Sequence, residues 1–281
     1  MLVLWMLLCT LAVHALTRRS RVRSAEPLPP GATQVEELRL ATSDGEDIGA
    51  WYVAGHSALP TVVLIHGNGG QRLACWPQAE MLIQAGYPVM LISCRAHGDS
   101  TGHVNDFGFS ARHDVIAAVK WLGQQHPGSR IIVWGASLGS AAAIFSAEEI
   151  NQSICGYILE CPYRDLETAV WHRLDNNLPP VVSSVTYLGM RAAASVILPQ
   201  IDQISPVDCI GKIPATIPIL VLAGGADRRA RPEEARALHS RVASHCQLEI
   251  IENGDHLQLR RAAPQEYENV VLKFLQQCEQ R

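Results

Sequence analysis

Three residue types in a fixed chain order carry the chemistry of this sequence: a serine between two glycines, an aspartate behind a glycine pair, and a histidine close to the end. Ser137 sits in Gly135-Ala136-Ser137-Leu138-Gly139, after the β-favouring run Ile131-Ile132-Val133-Trp134 and ahead of an alanine-rich run that opens at Ala141. That context predicts a strand, a sharp turn and a helix, and such a turn lifts the serine oxygen clear of its surroundings. Strand and helix then lie so close that a Cβ on either side of the serine would strike backbone, which is the use of Gly135 and Gly139. A bare five-residue match also fits an ordinary glycine-containing helix start; the strand before it and the helix after it favour the nucleophilic turn.

A serine hydroxyl is a weak nucleophile until a base takes its proton, and the base needs an acid to fix its tautomer and balance its charge. Downstream, Glu252-Asn253-Gly254-Asp255-His256-Leu257 places His256 in a turn between the last strand and the last helix, as the candidate base. Leu220-Val221-Leu222-Ala223-Gly224-Gly225-Ala226-Asp227 ends a buried strand in a glycine turn that presents Asp227, the candidate acid. An oxyanion formed at the serine needs backbone N–H groups aimed at it beforehand. Ile65-His66-Gly67-Asn68-Gly69-Gly70 leaves a strand into a loop where Gly67 and Gly69 allow bare backbone to approach a carbonyl. The amides of Asn68 and Leu138 are the candidate donors, with His66 supporting the loop by hydrogen bonding. A glycine loop after a strand also cradles phosphate, but no Lys-Ser or Lys-Thr pair follows, which disfavours a nucleotide site.

Each role has a rival. Glu160 ends the strand Tyr157–Leu159 and could serve as the acid; Asp227 is preferred for its glycine turn and its place ahead of the histidine. Asp255 adjoins His256 but is badly placed to orient it. His97 and His113 read as a structural turn and a helix start, and Ser140 lies inside the helix after the turn.

These residues need a scaffold, and the chain's 281 residues, 48% hydrophobic and 18% charged, suffice for one large core. A net charge of −4 shows no basic excess and recommends no nucleic acid as partner. Val35–Leu40 and Ile48–Val53, joined through Ser43-Asp44-Gly45, predict an antiparallel hairpin. Val62–Ile65, Val89–Ser93, Ile131–Trp134, Tyr157–Leu159 and Ile217–Leu222 are short continuous apolar runs separated by helical stretches. Runs of that kind are strands buried on both faces of a mostly parallel central sheet. Gln247–Ile251 is the last strand and Gln265–Cys278 the closing amphipathic helix. Between residues 163 and 213 the rhythm lapses into helical pieces, Leu166–Leu174 and Val181–Leu198, broken by prolines: a small lid. Trp171, Tyr187, Leu188 and Met190 there could line an acyl pocket or pack as core. Eight scattered cysteines, with no C-x-x-C pair, suggest buried thiols and a reducing compartment rather than disulfides or zinc.

Residues 1–17 are apolar and are followed at once by Arg18, Arg19, Arg21 and Arg23; residues 18–33 form a basic, proline-rich linker to a domain spanning 34–281. The basic cluster lies on the wrong side for a signal peptide, so the segment is expected to be an uncleaved membrane anchor, with the catalytic domain cytoplasmic by the positive-inside rule. Export after cleavage near Val13-His14-Ala15 is the alternative.

His66-Gly67-Asn68-Gly69-Gly70, Arg95-Ala96-His97-Gly98-Asp99-Ser100, Gly135-Ala136-Ser137-Leu138-Gly139, Gly225-Ala226-Asp227 and Gly254-Asp255-His256 together resemble the serine alpha/beta hydrolase superfamily, from about Val35 to the C-terminus. The order serine, aspartate, histidine is that of this fold. The anchor and the minimal lid resemble its membrane-anchored Bem46-like branch, which includes lysophospholipases and acyl-protein thioesterases. One motif departs: where the family often has Asp-x-Arg-Gly-His-Gly-x-Ser, this chain has Ser93 and Ala96 in place of the aspartate and first glycine. The resemblance implies an alpha/beta hydrolase fold with helices on both faces of the sheet, and cleavage of an ester or thioester through an acyl-enzyme on Ser137. It implies no metal or organic cofactor and a small acyl substrate, lipid or acylated protein. A peptidase acting on short peptides, and a non-catalytic binding member of the fold, are the alternatives.

Overall fold

The computed structural model describes residues 2–19, 23–30 and 32–280. Met1 and Arg21, assigned above to the apolar start and the basic cluster, lie outside the described residues. Eight strands form one sheet: β1 (Val35–Ala41), β2 (Asp47–Val53), β3 (Thr61–Ile65), β4 (Val89–Ile92), β5 (Ile131–Ala136), β6 (Ile154–Glu160), β7 (Ile219–Gly224) and β8 (Cys246–Ile251). Their spatial order is β1-β2-β4-β3-β5-β6-β7-β8. β2 runs antiparallel to both β1 and β4, and every pair from β4 onward is parallel.

The helices are α1 (Leu2–Leu16), α2 (Trp76–Gln84), α3 (Arg112–Gln125), α4 (Leu138–Ile150), α5 (Leu166–Asp175), α6 (Pro180–Ile197), α7 (Pro206–Cys209), α8 (Pro232–Arg241), α9 (Leu259–Ala262) and α10 (Pro264–Glu279). Side chains alternate across a strand, so the continuous apolar runs feed two cores at once. Val63 and Ile65 of β3 pack with α3, α4 and α8, whereas Val62 and Leu64 pack with α2 and α10. This is the alpha/beta hydrolase fold, with a mostly parallel sheet covered on both faces.

A third, smaller cluster lies above the C-terminal edge of the sheet, where α5 and α6 pack on Ala141 of α4 and on Phe107 and Phe109 of the loop after β4. α1 joins this layer rather than standing away from the domain. Its Cys9 and Val13 are buried in the cluster, and it meets α6 at Gly189, where an added Cβ would come 2.6 Å from both Cys9 Sγ and the Trp5 ring. The remaining face of α1 is exposed along Leu2, Leu4, Leu7, Leu8 and Leu11.

The contact at Gly189 permits a local test. Gly189→Val is expected to push α1 off α6 while the sheet stays folded. Amide exchange in residues 2–16 should then rise sharply with little change in β3, β5 and β7; unchanged protection of α1 would show that the close approach is not what holds it.

Candidate active site

Four polypeptide turns meet at the C-terminal ends of β3, β5, β7 and β8. At the first, β5 runs into α4 through Ser137, whose φ of 52° and ψ of −106° lie in a region non-glycine residues rarely adopt. The strain persists because the surroundings permit no alternative. A Cβ on Gly135 would lie 2.2 Å from the Gly139 carbonyl carbon and oxygen, and one on Gly139 would lie 2.4 Å from Ile65 O at the end of β3. Ser137 N donates to Glu160 O at 2.8 Å, and Ser140 Oγ donates to Gly135 O at 2.7 Å, so Ser140 braces the turn.

The turns after β7 and β8 are fused backbone to backbone. Cβ atoms on Gly224 and Gly225 would lie 2.2 Å from Gly254 O and 2.4 Å from Glu252 O, and Ala226 N donates to Gly254 O at 3.0 Å. This places Asp227 against His256, 29 residues further along the chain. The Asp227 carboxylate is buried and accepts from the amides of Arg229 and Ala230 through Oδ1, at 2.8 and 2.9 Å. Its Oδ2 lies 2.7 Å from His256 Nδ1, and His256 Nε2 lies 3.1 Å from Ser137 Oγ. A carboxylate only accepts, so Nδ1 carries the imidazole proton and Nε2 is left to accept from the serine hydroxyl.

The rival acid takes no part in this chain of bonds. Glu160 is buried between Tyr267 Oη at 2.7 Å and Trp134 Nε1 at 3.4 Å, and burial raises its carboxyl pKa. Asp255 caps the His256 amide through its own side chain.

The loop after β3 is held by two buried histidines, both neutral by hydrogen-bond logic. His66 Nδ1 donates to Gly67 O at 2.7 Å and its Nε2 accepts from Cys94 N at 3.0 Å. His97 Nδ1 donates to Arg95 O at 2.9 Å, and its Nε2 accepts from Gly69 N at 3.1 Å. Each nitrogen facing an amide must keep a lone pair, so neither ring has room for a second proton. Burial, and next the neighbouring His97 ring, hold His66 down at about 3, and burial likewise lowers His97. Gly69 takes a positive φ of 73° with open space around it, and the position that a Cβ on Gly67 would take lies 3.6 Å from Ser137 Cβ. Bare backbone therefore faces the serine. With Gly69 N committed to His97, the amides of Asn68 and Leu138 have no acceptor among the described residues. Leu138 N belongs to the first turn of α4, where helix amides have no intrahelical partner.

Some supporting groups carry no sequence signal. Asn105 Nδ2 donates to Asn68 Oδ1 at 2.7 Å, across 37 residues of chain. Leu257 N donates to Cys161 Sγ at 3.5 Å. The Cys161 sulfur, a nitrogen of His256 and an oxygen of Asp227 lie within 4.8 Å of one another, a donor set that a soft divalent cation could enter only by displacing the proton of the Cys161 thiol, which burial holds in place.

In the layer above the sheet, a narrow cleft of about 40 Å³ runs between α1, α5 and α6. It is lined mainly by apolar side chains, among them Val13, Leu16, Phe107, Met190 and Leu198. Phe107 lines it, and the adjacent Gly108 packs on the start of α4, where an added Cβ would lie 2.7 Å from Leu138 O. Of the lid side chains, Tyr187 and Met190 line this cleft, Trp171 packs edge-on against Tyr187 at 5.7 Å, and Leu188 is exposed.

The family model described as serine aminopeptidase, S33 (Hydrolase_4) matches residues 56–209, a little over half of the chain. The chain belongs to this family. It is therefore a serine hydrolase of the alpha/beta fold by descent. Among curated proteins it is similar to the uncharacterized protein YqkD of Bacillus subtilis, at 24% identity over 84% of this chain and 77% of the relative. It is also similar to human protein ABHD12B, at 24% identity over 73% of this chain and 56% of the relative. Among solved structures, Pyrococcus furiosus esterase Pf2001 superposes with a TM-score of 0.74 at 23% identity, covering 91% of this chain and 98% of that one. At that identity the likeness speaks for the fold.

The buried neutral histidines set a pH dependence. Unfolded, His66 takes up its proton near pH ~6.5; folded, it does so only near 3. Between those values the unfolded chain binds more protons, so stability falls as pH drops from about 6.5 toward 3. In urea titrations the midpoint of the wild type is expected to fall more steeply from pH 7 to pH 4 than that of His66→Gln. Parallel profiles would show that His66 is not held neutral by the fold.

Proposed function

We propose that the protein hydrolyses an ester or thioester of an apolar acyl group through an acyl-enzyme on Ser137. The observation that carries this reading is the hydrogen-bonded chain from Asp227 through His256 to Ser137, set beside two amides with no internal acceptor. His256 Nε2 takes the serine proton as Oγ attacks the acyl carbonyl carbon, and the amides of Asn68 and Leu138 stabilise the oxyanion. The imidazolium so formed is balanced by the Asp227 carboxylate, which accepts a hydrogen bond from Nδ1–H and stays ionised. His256 then returns the proton to the leaving alcohol or thiol, and a water activated by the same nitrogen releases the acid. The apolar lining of the cleft between α1 and α6 supports an acyl chain as the specificity element, and at about 40 Å³ the cleft must widen to take one.

The second part of the proposal concerns place, and with it the Bem46-like, membrane-anchored assignment. Among the described residues no helix is long and apolar enough to cross a membrane. The exposed leucines of α1 and, beside them, Val181, Val185, Leu188 and Val196 of α6 form an apolar surface of the kind that marks contact with a membrane. We propose that this surface lies in the interfacial plane of a bilayer, with the catalytic domain on the cytoplasmic side, bringing the cleft to lipid or to an acylated protein.

Ser137→Ala and His256→Ala are each expected to lower kcat on a p-nitrophenyl ester by on the order of 10⁴-fold, with unchanged circular dichroism. A fluorophosphonate should modify Ser137 stoichiometrically in the wild type and fail to do so in His256→Ala. Hydrolysis surviving in pure Ser137→Ala protein would rule out the mechanism.

The full chain is expected to sediment with phosphatidylglycerol vesicles, and a variant with Leu4, Leu7, Leu8 and Leu11 changed to Ser to remain in solution. Equal sedimentation of the two would remove α1 from the membrane contact.

A further inference from the structure

Ser93 and Ala96 stand where the related motif has an aspartate and a glycine, and the structure shows what occupies the space. Ala96 simply adopts the left-handed conformation a glycine would have, at φ 59°. At Ser93 the missing carboxylate is supplied from 67 residues away. The carboxylate of Glu26, on the proline-rich segment ahead of β1, is fully enclosed and accepts from Ser93 Oγ. It also faces Arg72 Nη1 at 3.0 Å.

The surroundings are shaped for this group. A Cβ on Gly98 would lie 2.0 Å from Glu26 Oε1, so any side chain there would expel the carboxylate. Arg72, itself 2% exposed, makes a two-pronged bond to Asp99 at 2.6 and 2.9 Å and lies over the Trp51 ring at 4.6 Å. Gly49 leaves room for that pair, since its Cβ would fall 2.0 Å from Asp99 Oδ1. A buried guanidinium with a missing partner is strongly unfavourable, and a serine at position 93 brings no charge to meet it.

The same carboxylate reaches the loop beside Ser137. That loop ends in a 3-10 turn, Arg72–Cys75, whose N-cap residue Gln71 makes no side-chain cap. Arg72 N donates instead to Ser93 Oγ at 2.9 Å, and Leu73 N to Glu26 Oε2 at 3.4 Å. One end of the loop is thus capped by Ser93 and Glu26 acting together. Its middle hangs from His97, on the segment that the N-terminal region also grips. Arg19 donates to the carbonyls of Gly98, Ser100, Thr101 and Gly102, and Arg23 Nε donates to Asp99 O at 2.6 Å. Thr17 O accepts from Asn105 N at 2.9 Å, and Asn105 in turn holds the Asn68 side chain.

We propose that Glu26 is a positioning residue for the Asn68 amide: the N-terminal segment lends the catalytic domain a carboxylate that fixes the loop after β3, so Thr17, Arg19, Arg23 and Glu26 belong to the working site. This rests on the hydrolase reading for its effect on rate, but not for its effect on the loop. The experiment compares wild type, Glu26→Ala, Glu26→Gln and Glu26→Ala/Ser93→Asp as full chains. An aspartate at 93 reaches Arg72 from the sheet side, because Ser93 Oγ already lies 2.9 Å from Arg72 N and 3.5 Å from Nη1.

Glu26→Ala is expected to lower kcat on a short p-nitrophenyl ester, and the rate of fluorophosphonate labelling, by roughly 10- to 100-fold, as for a misplaced reacting geometry, with KM changed by less than ~3-fold. Amide exchange across residues 67–73 should accelerate in the same variant. Ser93→Asp in that background should restore both rate and protection. Should Glu26→Ala fail to fold, recovery of folding and activity in the double variant supports the proposal. Should both fail, Glu26→Gln decides: slowed labelling supports it and a wild-type rate overturns it. A folded Glu26→Ala with wild-type kcat, or a folded double variant no better than the single one, overturns it. If Ser137→Ala retains hydrolysis the mechanism fails, while the exchange result still judges the role of Glu26.

Discussion

The rest of the site depends on one close contact between backbones: the turn after β5 pressed against the end of β3. Gly139 approaches Ile65 O so closely that no side chain fits between them. This single approach sets the strained angles of Ser137, aims the first amides of α4, and fixes the distance from the serine to the loop beginning at His66. The sheet makes it possible. β3 and β5 are adjacent and parallel, and their side chains are buried on both faces, so neither strand can retreat. Strain of this kind, on the order of 1–3 kcal/mol per residue, is tolerable only where packing on every side holds it.

Around that contact the buried polar groups are bonded to partners remote in sequence, although Arg72 Nε and Trp51 Nε1 have none among the described residues. His66 and His97 stay neutral because each ring nitrogen has one fixed partner, a carbonyl on one side and an amide on the other. Arg72 is met by two carboxylates, those of Glu26 and Asp99. Removing one partner from such a cluster costs far more than the pair contributes, by about 3–5 kcal/mol for a buried ion pair. This asymmetry explains how residues remote in sequence become indispensable to a loop of six.

The upper layer is built differently. α5 and α6 meet the domain through a small apolar cluster, and α1 lies along α6 through Cys9, Val13, Trp5 and the notch at Gly189. Much apolar surface stays uncovered there, whereas the sheet leaves almost none.

The sequence by itself determined the sheet and offered the candidates for the site. Continuous apolar runs can only be strands buried on two faces, and glycines at fixed spacing announce turns where backbones touch. Hence the elements from Val35 onward, the lid helices and the candidates Ser137, Asp227 and His256 were legible before any coordinates, because each rests on a local pattern. It favoured Asp227 over Glu160 only by its glycine turn and its place ahead of the histidine. The tertiary structure supplies the physical separation, turning Glu160 toward Tyr267 and Trp134 and fusing the turns after β7 and β8. It alone revealed Glu26, which reads as one acidic residue in a proline-rich stretch. Its partners Arg72, Ser93 and Gly98 lie 46 to 72 residues away, and a charge acquires meaning only from what surrounds it once water is removed.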